Sequence, residues 1–113
     1  MNDGQTPVFR ILIAEDNPAD VRLLGEALKA TPLKYDVHLV TDGAEALTAV
    51  QLAGSKPGLP CPDLFVLDWH LPRIDGLQVL EAFRANTNCR TTPVLIFTSS
   101  VSPNGVAQRF AIM

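Results

Sequence analysis

Leu64-Phe65-Val66-Leu67-Asp68-Trp69-His70-Leu71-Pro72-Arg73-Ile74-Asp75-Gly76 decides how this chain is read. Four consecutive apolar residues run into a carboxylate, and a proline and an Asp-Gly pair then stop anything regular from continuing. A short apolar run bounded by turn residues reads as a strand buried on both faces. Asp68 then stands at the carboxyl end of that strand, where open α/β sheets place their chemistry. A lone Asp in such a place ordinarily ends a strand and caps a turn. The rest of the chain has to decide between the two roles.

Working outward, the chain alternates strand and helix four times. Val8–Ala14 is an apolar strand that ends in Glu15-Asp16-Asn17-Pro18. Asn17 suits an N-cap and Pro18 the first helical position, so a helix follows to about Ala30, with Val21, Leu24 and Leu28 on one face. Tyr35–Val40 is a second, shorter strand, with His38 read as an outward polar residue. Thr41 or Asp42 caps a helix over about Gly43–Ala53, with Leu47 and Val50 inward. Gly54–Pro62 is a Pro/Gly-rich loop, longer than most helix-to-strand connections. The opening stretch supplies the third strand, Asp63–Leu67, and a helix over Gly76–Ala85 with Val79, Leu80 and Phe83 at helical spacing. Asn86–Thr92 is a polar connection, and Pro93–Thr98 is a fourth buried strand. Ser102-Pro103 opens a fourth helix as cap and first position, with Val106, Phe110 and Met113 on its apolar side. The pattern implies an α/β fold: a doubly wound parallel sheet with helices on both faces, over 8–113, behind a polar lead-in at 1–7.

Composition narrows the function. With 113 residues there is material for one domain and one core, and 47% hydrophobic residues exclude disorder over most of it. A net charge of −3 without any Lys/Arg run argues against a nucleic-acid surface. Ile11-Leu12-Ile13-Ala14 is too short to span a membrane and lacks the flanks of a signal peptide, so a cytoplasmic location is expected. Cys61 and Cys89 form no CxxC and are expected to be reduced structural thiols; a disulfide between them is conceivable only under oxidation.

Two strands end in carboxylates, Glu15-Asp16 after the first and Asp68 after the third. If the two are neighbours, three carboxylates meet at one edge of the sheet, and a divalent cation relieves their repulsion. A small set of oxygen ligands favours Mg2+ with several waters. The fourth strand ends in Thr98-Ser99-Ser100, hydroxyls suited to a phosphoryl oxygen. A metal beside a carboxylate nucleophile points to acyl-phosphate formation on Asp68. No Gly-rich loop follows the first strand, which disfavours dinucleotide binding.

ILIAEDNPADVRLL, TDGAEAL, LFVLDWHLPRIDG and PVLIFTSS, in this order and spacing, resemble the receiver domain (CheY-like) of two-component response regulators. The long Pro-rich loop and EDNPADVRLL are most similar to stand-alone receivers that pair with phytochrome-type histidine kinases. The resemblance implies a flavodoxin-like sheet and makes Asp68 the phosphoacceptor for a sensor histidine kinase. It makes Asp16 and Asp68 Mg2+ ligands, Glu15 a ligand through metal-bound water, and the backbone carbonyl of His70 the third protein ligand. Thr98 matches the switch hydroxyl. His70 and Ser100 match positions that tune dephosphorylation, and Pro72 and Gly76 match residues that shape the loop after the phosphoacceptor. Trp69 is expected to cover apolar surface, Asp75 to serve the turn, and Arg73 to be a solvated loop charge.

The family continues into a fifth strand ending in Lys-Pro and a fifth helix, and this sequence does not show them. Lys29, Lys34 and Lys56 fall where none replaces the family's phosphate-binding lysine. The expected strand order is therefore 2-1-3-4. The fourth strand becomes an open edge beside an uncovered apolar face, for a homodimer or a swapped assembly to cover. Phosphotransfer without the lysine is expected to be slow. The chain is then not an enzyme beyond self-catalysed phosphotransfer and dephosphorylation, and its output is by protein contact, without nucleic acid or membrane. Two other readings are a phosphorylation-independent interaction module and an Mg2+-dependent phosphohydrolase with an Asp nucleophile. The latter usually needs an acid two residues beyond the nucleophile, where this chain has His70.

Overall fold

The computed structural model of the chain describes residues 8–102 and 105–112, and at 98–102 and 105–111 the description is of the backbone alone. The expected lead-in at 1–7 lies outside the described residues, as do Pro103 and Met113. The elements run β1 (Phe9–Ala14), α1 (Pro18–Lys29), β2 (Tyr35–Val40), α2 (Gly43–Leu52), β3 (Leu64–Asp68), α3 (Gly76–Ala85), a 3₁₀ turn (Thr87–Cys89), β4 (Val94–Ser102) and β5 (Gly105–Ile112).

One sheet carries all the strands, in the order β2-β1-β3-β4-β5. The first four are parallel to one another, so the expected 2-1-3-4 arrangement stands. β1 is central: Ile11 pairs with both Val37 and Leu64, and Ala14 with both Val40 and Leu67. Strand alternation splits the apolar residues between two faces. Ile11, Ile13, Val66 and Phe97 form one face, with Leu24 and Leu28 of α1 packed against it. Leu12, Ala14, Phe65, Leu67, Val94 and Ile96 form the other, under Ala46 and Val50 of α2 and Val79, Leu80 and Phe83 of α3. Burial on both faces is why β1 and β3 read as continuous apolar runs.

The helices start where their caps are. Asn17 accepts from the Ala19 N–H at 2.9 Å, ahead of Pro18. Asp42 accepts from Glu45 N–H at 2.7 Å, and the Glu45 carboxylate accepts in return from Thr41 N–H at 3.0 Å. Asp75 accepts from Gln78 N–H at 3.1 Å, so the expected turn residue is the N-cap of α3. Each exchange satisfies amides that a helix start leaves free.

Two expectations are corrected. The fourth helix after Ser102-Pro103 is a strand instead: β5 returns antiparallel along β4, with Leu95 opposite Ile112 and Ser102 opposite Gly105. β4 presents a row of backbone groups at its outer edge, and an antiparallel return satisfies them within the chain. The Pro-Asn-Gly run at 103–105 is a turn signal, and the helical reading of Val106 and Phe110 passes over it. The β4 edge is therefore not open for a homodimer or swapped assembly to cover. The second correction concerns the cysteines: Cys61 and Cys89 are joined as a disulfide, with Cα atoms 5.5 Å apart. The face beside α1 does stay thinly covered among the described residues, with Phe9, Tyr35, Leu64 and Leu95 only half-buried.

The α2/α3 side carries the larger core, and its anchor is the edge-to-face pair of Phe65 and Phe83, with ring centroids 5.3 Å apart and both side chains fully buried. Phe83→Ala is expected to lower unfolding stability by about 3–5 kcal/mol through lost transfer energy and the cavity left behind. Urea denaturation followed by far-UV circular dichroism measures it, and a loss under about 1 kcal/mol would contradict this account of the core.

Candidate functional site

β1 and β3 are neighbours in register, Ala14 opposite Leu67, so the next residue of each leaves the ladder at the same level. That brings the carboxylates of Glu15, Asp16 and Asp68 together, with one oxygen from each within 4.8 Å of the others. Glu15 is 1% exposed and Asp68 7%, whereas Asp16 faces solvent. Glu15 is fixed at both ends: its N–H donates to the Val40 carbonyl at 3.0 Å and its Oε2 accepts from Asn17 N–H at 3.0 Å. Its other oxygen, Oε1, is buried without a hydrogen-bond partner.

Burial pushes the Glu15 carboxyl up to about 7. The Asn17 N–H opposes that shift, while the nearby charges of Asp68 and Asp20 add to it. When both Glu15 and Asp68 are charged, Oε1 has nothing to bond. Once Glu15 is protonated, it can donate to Asp68. A divalent cation achieves the same relief without the proton. An orphaned, buried carboxylate oxygen among three converging carboxylates fits such an ion. The donor set is all oxygen and small, which suits a hard cation that keeps several waters.

The loop after Asp68 is held by backbone contacts. His70 N–H donates to Asp68 Oδ1 at 3.1 Å, which fixes one carboxylate oxygen. Trp69 N–H donates to the Phe97 carbonyl at 3.0 Å, and Gly76 N–H to the Trp69 carbonyl at 3.1 Å. Gly43 N–H donates to the Pro72 carbonyl at 2.9 Å, so the start of α2 holds the loop's far side. The turn into α3 passes so close to Trp69 that a Cβ on Gly76 would stand 2.8 Å from the Trp69 Cα. Only glycine fits that approach. Trp69 is half-buried and packs against the α2/α3 core, as expected of it.

Other expected residues fall as follows. The His70 side chain is exposed, and so is that of His38 on β2. Arg73 adopts φ 76° and lies 3.6 Å from the Asp42 carboxylate at the surface. Thr98 follows Phe97, the register partner of Asp68, but its side chain and that of Ser100 lie outside the described residues. Lys29 ends α1, Lys34 precedes β2 and Lys56 lies in the loop before β3, so all three belong to the end of the sheet away from Asp68. Sequence reasoning missed Asp20. It is 8% exposed in the first turn of α1 and adds to the negative potential on Glu15. Its signal was its place three residues after the Asn17 cap, which aims the first helical turn at the end of β1.

Residues 11–111 match the response regulator receiver domain family. Response regulator Rcp1 of Synechocystis sp. is 32% identical over 112 residues, which span 99% of this chain and 76% of that protein. The structure of the phosphorylated cyanobacterial phytochrome response regulator RcpA superimposes with a TM-score of 0.73 at 33% identity, covering 87% of this chain and 70% of that one. The Mn(2+)-bound form of Rcp1 gives a TM-score of 0.71 at 34% identity, covering 84% of this chain and 68% of that one.

The raised Glu15 carboxyl gives a pH dependence with a definite sign. Between about 4.5 and about 7 the folded chain holds a proton that the unfolded chain has released, so metal-free stability falls as pH rises across that window. Cation binding has to displace that proton. Affinity for Mg2+ or Mn2+, read from the fluorescence of the sole tryptophan, Trp69, is expected to rise by up to about tenfold per pH unit below 7 and to flatten above it. Glu15→Gln is expected to remove both dependences, and a wild-type affinity that does not change from pH 5.5 to 7.5 would count against the assignment.

Proposed function

This chain belongs to the response regulator receiver family of two-component signalling, and on that premise we propose that Asp68 is its phosphoacceptor, charged by a histidine kinase. The observation that carries the reading is the convergence of Glu15, Asp16 and Asp68 at the carboxyl ends of two adjacent strands. Asp68 Oδ1 is held by the His70 N–H, which leaves Oδ2 to attack the phosphorus of a phosphohistidine. The P–N bond breaks, the imidazole leaves, and an acyl phosphate forms on Asp68. Burial keeps the nucleophile poorly solvated and the loop contacts hold it in place, so that part of the ordering cost is met before the donor arrives.

Mg2+ would be held by Asp16, Asp68 and the His70 carbonyl, with Glu15 acting through a bound water. When bound, it supplies charge neutralisation for the transferring phosphoryl group. Asp16, the exposed member, is the ligand a cation meets first, and Glu15 is the buried member that a proton otherwise neutralises. Thr98 fits the switch hydroxyl by its position after the Asp68 partner strand residue. The kinase is of phytochrome type in this reading, since Rcp1 and the phytochrome response regulator RcpA are among the most similar proteins. Among the described residues no helix is long and apolar enough to cross a membrane. In this reading the receiver meets its kinase in the cytoplasm. Output is by protein contact, and the chain's own chemistry is confined to Asp68.

Incubation with acetyl phosphate and Mg2+, followed by intact mass, is expected to add one phosphoryl group per chain. Asp68→Asn is expected to abolish the adduct, and Asp16→Asn to slow its formation on the order of 10²-fold, the scale of losing one preorganised electrostatic contact. An undiminished adduct on Asp68→Asn would place the phosphoacceptor elsewhere. Phosphotransfer from a phytochrome-type kinase that is no faster than from an unrelated kinase would refute the partner assignment alone.

A further inference from the structure

The acidic cluster occupies one end of the sheet, and the disulfide occupies the other. Cys61 precedes β3 and Cys89 ends the 3₁₀ turn before β4. Their bond spans a sequence separation of 28 and closes a covalent ring around β3, Asp68, its loop and α3. No other segment of the chain is closed in this way, since these are its only cysteines.

The bond also fastens a loop with few other holds. Residues 55–58 are exposed, and the loop's own ties are short-range: Gly54 N–H to the Leu59 carbonyl at 2.6 Å and Leu59 N–H to the Lys56 carbonyl at 2.9 Å. Gly54, at φ +74°, passes directly over the sulfurs, and a Cβ there would lie 2.7 Å from Cys61 Sγ and 3.2 Å from Cys89 Sγ. The loop forms one wall of an open cleft of about 360 Å³, with Arg10, His38 and Ala49 on the opposite walls and Pro57, Leu59 and Pro60 on its own. Past Cys61 the chain is secure again. The Thr92 hydroxyl donates to the Pro62 carbonyl at 2.8 Å, and Asp63 exchanges two 2.8 Å hydrogen bonds with the backbone of Arg10. The disulfide is therefore the covalent tie between the loop and the α3–β4 connection, beside the Thr92–Pro62 hydrogen bond at the loop's end.

We propose that Cys61–Cys89 is a redox-sensitive clamp whose opening by a dithiol loosens the 54–62 loop and the 86–92 connection while leaving the acidic site assembled. Cys61 is the accessible sulfur, since Cys89 is only 1% exposed. A thiolate of the dithiol attacks Cys61 Sγ, the S–S bond breaks, and Cys89 leaves and takes a proton. The second thiol then attacks the mixed disulfide, Cys61 is released as a thiol, and the reductant departs as a cyclic disulfide; two electrons pass to the protein. Reduction gives the unfolded chain back the freedom that the ring had removed.

The experiment compares the 113-residue chain oxidised by oxidised glutathione, the same chain reduced by dithiothreitol, and the C61S/C89S variant. Thiol titration in denaturant is expected to find no free thiol in the oxidised form and both in the reduced one. Reduction is expected to lower the melting temperature on the order of 10 °C and to speed amide exchange at 54–62 and 86–92. The Mn2+ response of Trp69 is expected to persist, which separates the clamp from the acidic site. Two free thiols after oxidation, or equal melting and exchange in both redox states, would overturn the proposal. Reduced wild-type protein carries the test even if the double variant does not fold.

Discussion

Glu15 and Asp68 are pressed together by the pairing of β1 with β3, and the remaining features of the site follow from that forced proximity. The parallel register lets both carboxylates emerge at one level, and the flanking apolar runs keep water from separating them. Two buried like charges are unstable unless a proton or a cation intervenes. The Asn17 amide and the His70 amide each moderate that instability without removing it, and the carboxylate of exposed Asp16 adds a third negative group beside them. The sheet thus keeps an electrostatic demand in reserve at its carboxyl edge, and the proposed metal binding and phosphoryl acceptance would both draw on it.

Much of this was legible in the sequence because the strands are buried on both faces. Runs such as ILIA and LFVL have no polar face to blur the assignment, and Asn17-Pro18 and Asp75-Gly76 mark helix starts through requirements that hold in almost any context. The acidic site was legible for the same reason, since a carboxylate directly after a buried run can only emerge at the strand end. Asp20 was not, because its nearness to Glu15 depends on the angle at which α1 leaves β1.

The last stretch and the cysteines were misread for physical reasons of two kinds. Val106 and Phe110 fit a helical stripe and a strand equally well over so short a span. What decided between them was the row of unpaired backbone groups on β4, a property of the assembled sheet. The expected strand order already sets the β3 and β4 entrances side by side, but nothing in the sequence gives the distance between Cys61 and Cys89, which are 28 residues apart. The outcome is a molecule with unlike ends: one rich in charge and open to a cation, the other tied covalently and built from prolines and turns.

At that tied end, Asn86 serves three elements at once. Its amide nitrogen donates to the Val50 and Ala53 carbonyls at 2.9 and 2.8 Å, its Oδ1 accepts from Asn88 N–H at 3.0 Å, and its backbone closes α3. Both donated bonds come from the one nitrogen that spontaneous deamidation removes. An aged chain carrying aspartate at 86 would turn a carboxylate toward two carbonyl oxygens at the end of α2, with no proton left to satisfy either. Those two carbonyl oxygens at the end of α2 thus depend on a single side-chain amide, at the end of the sheet away from the acidic cluster.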